Sequence, residues 1–183
     1  MLGETFAHVL AAAREGAEWA WARLYRDLAP SVLGYLRARG AAEPDDLTGE
    51  VFVQVVRDLR RFEGSERDFR AWVFTIAYHR LIDDARRKAR SPVEPVAEVA
   101  EWRAPAEDAE EEAARAFSAE RVQRIIGELA PDQRDVLLLR VLGGLTVSEV
   151  ANVMGKSAGA VKALQRRGLV WVKRAVAEEG VPL

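Results

Sequence analysis

Apolar positions along this chain recur at three- and four-residue steps, the spacing that stacks side chains on one face of an α-helix. Leu47, Val51, Val55, Leu59 and Phe62 form one such series, with Pro44 placed where a first helical turn tolerates a missing N–H. Asp46, Glu50, Gln54 and Arg57 fall on the other side, a polar stripe that serves equally as a solvated face or as a docking surface. A second series, Val73, Ile76, Ala77 and Leu81, belongs to a helix expected to start near Phe69. His79, Asp83, Arg86, Arg87 and Arg90 run along a different stripe of that helix, so one face packs and another is largely cationic. Phe69, Trp72 and Phe74 follow the loop Glu63-Gly64-Ser65-Glu66. Aromatics at this spacing usually build core, yet beside a basic stripe they also suit stacking on splayed-out bases.

Further along, Pro131 opens a helix whose segment Val136 to Leu142 is apolar nearly all round, as a buried central helix should be, and Gly143-Gly144 ends it. Thr146-Val147-Ser148-Glu149 has the capping-box spacing, in which hydroxyl and carboxylate satisfy each other's backbone N–H. The short helix that follows is expected to bury Val147, Val150, Ala151 and Met154. Gly155-Lys156-Ser157 then turns the chain, with Ser157 as N-cap of a last helix. In that helix Val161, Leu164, Gly168, Trp171 and Val172 face inward and Lys162, Gln165, Arg166 and Lys173 outward, near Arg167. Two short helices joined by a tight glycine-bearing turn form a helix-turn-helix. The start of its second helix reaches base edges in the major groove, where lysine and arginine suit guanine and glutamine suits adenine.

Charge distribution supports nucleic acid as a ligand, although the net charge is -2. From Met154 to Ala177 the charges are Lys156, Lys162, Arg166, Arg167, Lys173 and Arg174, with no acid. Arg80, Arg86, Arg87, Lys88 and Arg90 form a second block against Asp83 and Asp84. Between the two blocks, Ser91 to Glu112 carries Glu94, Glu98, Glu101, Glu107, Asp108, Glu110, Glu111 and Glu112, against Arg103 alone. Pro92, Pro95 and Pro105 keep a long helix out of that acidic stretch. The expected fold is therefore all-α: two helical domains, 1–90 and 117–183, joined by a flexible acidic linker, 91–116.

Other classes are excluded by what 183 residues with 49% hydrophobic and 31% charged positions contain. Zero cysteines and two separated histidines, His8 and His79, offer neither disulfide nor metal cluster, and no cofactor is expected. No apolar run reaches the roughly 18 residues of a membrane span, and no leader is evident, so a cytoplasmic protein without membrane insertion is expected. Gly155-Lys156-Ser157 imitates the end of a phosphate-binding loop, but the glycine required five residues earlier is Val150 and no strand precedes it. No catalytic constellation emerges, which leaves a non-enzymatic DNA-binding protein; a conventional helix-turn-helix regulator with an N-terminal sensor or dimerisation domain remains the alternative.

Three stretches, DDLTGEVFVQVVRDLRRFEG, FRAWVFTIAYHRLIDDARRKAR and LAPDQRDVLLLRVLGGLTVSEVANVMGKSAGAVKALQRRGL, resemble regions two and four of bacterial sigma factors of the extracytoplasmic-function group. ARLYRDLAPSVLGYLRARG resembles the start of region two. The resemblance implies a promoter-specificity subunit that binds core RNA polymerase and directs initiation at minus-10/minus-35 promoters. It implies that Asp46, Glu50, Gln54 and Arg57 meet the β′ clamp. It implies that Phe69, Trp72, His79, Arg80, Asp83, Arg86 and Arg87 open and hold the minus-10 element. Lys162, Ala163, Gln165, Arg166 and Arg167 would read the minus-35 element, with the same domain seated on the β flap. It also implies an anti-sigma partner, and His79 stands where an asparagine is common in the family. The acidic linker then either threads polymerase channels or is a solvated spacer.

Overall fold

The computed structural model describes residues 2–90 and 121–178, side chains 89 and 90 apart; the linker reading and the first residues of the second expected domain lie outside these. Every regular element among the described residues is helical. After a 3-10 turn at Gly3–Thr5 come α1 (Phe6–Arg14), α2 (Glu18–Ala38), α3 (Pro44–Asp58), a 3-10 turn at Leu59–Arg61, and α4 (Glu66–Arg90). Residues 121–127 are helical (α5). α6 (Pro131–Val141), α7 (Val147–Met154) and α8 (Ala158–Glu178) follow.

The expected apolar series build the N-terminal core: Leu47, Val51, Val55, Leu59 and Phe62 on one side, Val73, Ile76, Ala77 and Leu81 on the other, all buried. Phe6, Leu24, Leu28 and Val32 from α1 and α2 close over them. Each such side chain removed from water contributes about 1.5–3 kcal/mol. α4 begins at Glu66, three residues before Phe69. The cause is a reciprocal cap: Ser65 N–H donates to Asp68 Oδ2 at 2.8 Å and Asp68 N–H donates to Ser65 Oγ at 3.3 Å. Aspartate does here what glutamate or glutamine does in the usual capping box.

In the C-terminal helices Val136, Leu139, Leu145, Val150 and Val161 form the centre. α8 approaches α6 so closely that a Cβ at Gly168 would lie 3.0 Å from Leu137 Cδ1. The apolar run of α6 is not buried to its end, for Val141 is 76% exposed where the helix leaves the core.

The two groups of helices share one contiguous set of buried residues. α2 meets α6, and α4 meets α7. Tyr35, fully buried, donates its hydroxyl to Asp135 Oδ1 at 3.0 Å, and Arg39 Nε lies 2.5 Å from the same oxygen. Arg67 of α4 reaches Glu149 of α7 at 2.7 Å. Val153, absent from the expected buried set of α7, is 3% exposed and lies on the face of α7 that carries Glu149.

Candidate nucleic-acid interface

Local chemistry fixes the C-terminal surface. Thr146 Oγ1 accepts from the Glu149 N–H while Thr146 N–H donates to the Glu149 carboxylate, the complete capping box. Gly155 then takes φ 63°, ψ 33°, a left-handed conformation that a side chain would strain, and stops α7. Ser157 Oγ accepts from Ala160 N–H at 3.2 Å and starts α8. Val161, fully buried, wedges the first turn of α8 into the core. These constraints leave Lys162, Arg166 and Arg167 exposed, with Ala163 and Gln165 half-buried beside them. None of the three cations has a carboxylate partner among the described residues. Lys156 differs: its Nζ lies 2.9 Å from Asp132 Oδ2, and that bond raises the amine above its ordinary pKa. It pins the turn to α6 and is lost to the free basic face.

On α4, the expected DNA-facing residues divide. His79, Asp83 and Arg86 are exposed on one stripe. Arg86 and Asp83, 3.4 Å apart and both about two-thirds exposed, form a pair that contributes little stability. Arg87 and Lys88 each approach Asp84, which is buried, to 2.7 Å. Arg80 sits off the stripe, on the rim toward α3, donating to Gln54 Oε1 at 3.0 Å with Glu50 at 3.7 Å. The two sets expected to serve different partners are thus joined through Arg80.

Phe69 departs from expectation. At 1% exposure, with its ring 5.7 Å from Phe6 and 5.3 Å from Phe62, it fills the core and offers no face to a base. Trp72 is half-buried, stacked on Phe62 with centroids 5.2 Å apart, two helical turns before His79. Phe69 and Phe62 therefore hold Trp72 in place.

On α3, Asp46, Glu50 and Arg57 are exposed and Gln54 half-buried. Between them Val53 and Val56 are 59% and 52% exposed, two apolar side chains not foreseen. The signal was present, since both valines fall off the buried Val51–Val55 series. A polar stripe broken by apolar side chains fits a protein partner better than water alone.

Among the described residues no His, Asp or Glu group could hold a metal ion, and no helix is long and apolar enough to cross a membrane.

Two family models match the chain: Sigma-70 region 2 over residues 24–91 and Sigma-70, region 4 over residues 119–172. The sequence is 33% identical over 187 residues to the ECF RNA polymerase sigma factor SigD of Mycobacterium tuberculosis, covering 98% of this chain and 88% of that one. It is 32% identical over 170 residues to the ECF RNA polymerase sigma factor BldN of Streptomyces coelicolor, covering 91% of this chain but 64% of BldN. The fold resembles that of the sigma factor RpoE of Bartonella quintana, solved in complex with the anti-sigma factor NepR, with a TM-score of 0.67 at 18% identity over 85% of this chain and 95% of that one.

Proposed function

The chain belongs to the extracytoplasmic-function group of RNA polymerase sigma factors, and on that footing we propose the division of labour by which it selects promoters. α3 docks on core polymerase, on the β′ clamp, through Asp46, Glu50, Gln54 and Arg57 around Val53 and Val56. α8 enters the major groove of the minus-35 element, with Lys162, Gln165 and Arg166 near base edges and Arg167 on phosphate, while Ala163 allows close approach. The C-terminal helices also rest on the β flap.

The α4 stripe takes the minus-10 element. A base leaving the duplex loses a few kcal/mol of stacking, offset when an aromatic edge and cations receive it. Trp72, His79 and Arg86 suit that task, with Asp83 setting Arg86 and with Arg80 and Arg87 at the edges. Phe69 contributes only by supporting Trp72. The domain division at 1–90, 91–116 and 117–183 separates the two readers.

The chain forms and breaks no bonds and acts without a cofactor in the cytoplasm, as a subunit of polymerase. An anti-sigma protein is the expected antagonist, in keeping with the NepR complex of the Bartonella relative. The single observation that carries this reading is a fully capped helix-turn-helix presenting three unpaired cations. The rival, a conventional regulator, is not favoured: region 2 occupies the place where a sensor would stand.

Transcription with purified core polymerase and this chain on genomic fragments, followed by start-site mapping, tests the reading. Initiation at a small set of shared starts is the expected result. Operator binding by the chain alone, with no initiation, would favour the regulator.

A further inference from the structure

The 3-10 turn and α1 lie outside residues 24–91, where the region 2 match falls, and have no task in the promoter reading. They nevertheless supply the polar contacts that bracket the loop Glu63-Gly64-Ser65. Before the loop, the Arg14 guanidinium of α1 donates to the Phe62 carbonyl. After it, the Glu66 carboxylate accepts the backbone N–H of Leu2 and, at 2.9 Å, that of Gly3. These bonds join residues 48 and 63 or 64 apart in sequence, so neither anchor arises from local turn chemistry.

Packing reinforces the bracket. Phe6 is buried with its ring 5.7 Å from Phe69, so α1 also presses on the first turn of α4, the turn that Glu66 opens. Arg14 and Glu66 are half-buried, and a charge-assisted hydrogen bond is stronger there than in open water. Between the anchors Glu63, Gly64 and Ser65 are all exposed. Gly64 takes φ 147°, and a Cβ on it would lie 2.8 Å from Asp68 Cβ, so the loop depends on one backbone shape. Phe62, held through its carbonyl, is the ring on which Trp72 stacks. Loss of the Arg14 anchor therefore loosens the loop and the indole together. A site held in one shape by its supporting bonds loses less entropy on capture and adapts less to a wrong ligand.

We infer that Arg14 and Glu66, with the N–H groups of Leu2 and Gly3, form a clasp that fixes the loop Glu63-Gly64-Ser65 and thereby sets base discrimination at the minus-10 element. Both are positioning residues: they act through Phe62, Trp72 and the loop backbone, without touching DNA. The clasp rests on the promoter reading. It makes a segment outside region 2 a determinant of minus-10 selectivity, while the α8 surface reads minus-35 independently of it.

Holoenzymes carrying wild type, Arg14→Ala or Glu66→Ala are compared on a promoter found by start-site mapping and on templates with single base changes in each element. Each alanine variant should reduce the preference for the native minus-10 bases several-fold and leave the minus-35 preference unchanged. Amide hydrogen exchange of the full-length chain follows the loop itself, where Phe62 N–H donates to the Leu59 carbonyl at 3.1 Å and Ser65 N–H to Asp68 Oδ2 at 2.8 Å. Exchange at these N–H groups should quicken in both variants while the middle of α6 stays protected, which separates a loosened loop from an unfolded chain. Arg14→Lys keeps a donor for the Phe62 carbonyl and should restore most of the minus-10 preference. Glu4→Gln, exposed on the same 3-10 turn and outside the clasp, should change neither readout. An undiminished minus-10 preference in both alanine variants, an equal loss at both elements, or a loss without quickened exchange overturns the clasp. Quickened exchange in the variants of a chain that never initiates transcription supports the hold on the loop and overturns the promoter reading instead.

Discussion

The two basic surfaces differ in how their charge is balanced. On α8, Lys162, Arg166 and Arg167 face water without a carboxylate partner among the described residues. On α4, Arg86 meets Asp83, Arg87 and Lys88 meet Asp84, and Arg80 meets Glu50 and Gln54. An unpaired cationic face draws duplex phosphate strongly and in a salt-dependent way. A balanced face with an aromatic edge gains little from the intact duplex and more from a base that has left it. The two basic faces therefore suit unequal tasks: α8 for affinity and register, α4 for capture.

The sharpest way to separate stability from recognition on the α4 side is to compare its two aromatics. Phe69→Ala should destabilise the N-terminal helices by about 3–5 kcal/mol, the usual loss for a buried ring. Trp72→Ala, half-exposed, should unfold less readily yet impair promoter opening more, as read by permanganate reactivity of the melted region against thermal unfolding. Equal ratios of the two losses would erase the distinction drawn between these residues.

Next in size is the salt response. Replacing Lys162, Arg166 and Arg167 with alanine should lower holoenzyme affinity for promoter DNA by roughly 100-fold and flatten the dependence of log K on log salt by about 3. Alanines at Arg80, Arg86 and Arg87 should change that slope by less than half as much. Similar slopes in the two triples would break the comparison.

Arg80→Ala alone tests the joint between α3 and α4. Its partners are about half exposed, so the loss in stability should stay within roughly 1 kcal/mol. A few-fold loss of core binding, measured by competition with another sigma factor, is expected because Glu50 and Gln54 lose their fixed neighbour.

The smallest effect concerns two acids at the contact between the helix groups, which shift in opposite directions. Burial pushes the Asp135 carboxyl up, only partly offset by Arg39 and the Tyr35 hydroxyl, with Asp132 adding to the rise. Its contribution to stability is therefore present below the ordinary aspartate pKa and lost as pH rises through the raised value. For Glu149, burial also pushes up, but bonds from Arg67 and Thr146 outweigh it and the carboxyl ends below its ordinary value. That contribution is present above the ordinary glutamate pKa and lost as pH falls through the lowered value. Tm of wild type minus Asp135→Asn should thus fall with rising pH across the acidic range, and Tm of wild type minus Glu149→Gln should rise. Parallel trends would contradict the assignment.

The helix-turn-helix was legible in sequence because it is held by local chemistry: Thr146 with Glu149, a left-handed Gly155, and Ser157 lie within a dozen residues. The start of α4 was misplaced because its cap uses Asp68 in a role usually read from glutamate or glutamine. The family resemblance set Phe69 among the DNA-facing residues although aromatics at its spacing usually build core, and its packing against Phe6 and Phe62 turns it inward. The contact between the two helix groups left no local trace. Tyr35 and Asp135 are 100 residues apart, and nothing in the periodicity of either helix marks them as partners. Val153, four residues after Glu149 and so on the same face of α7, was missed as well.

Initiation rates on templates altered at each promoter element, with wild-type chain and with the Lys162, Arg166 and Arg167 alanine triple, test the central claim most directly. Assignment of α8 to the upstream duplex requires that the triple abolish the penalty for changing minus-35 bases while the minus-10 penalty persists. A minus-35 penalty of undiminished size in the triple would contradict it.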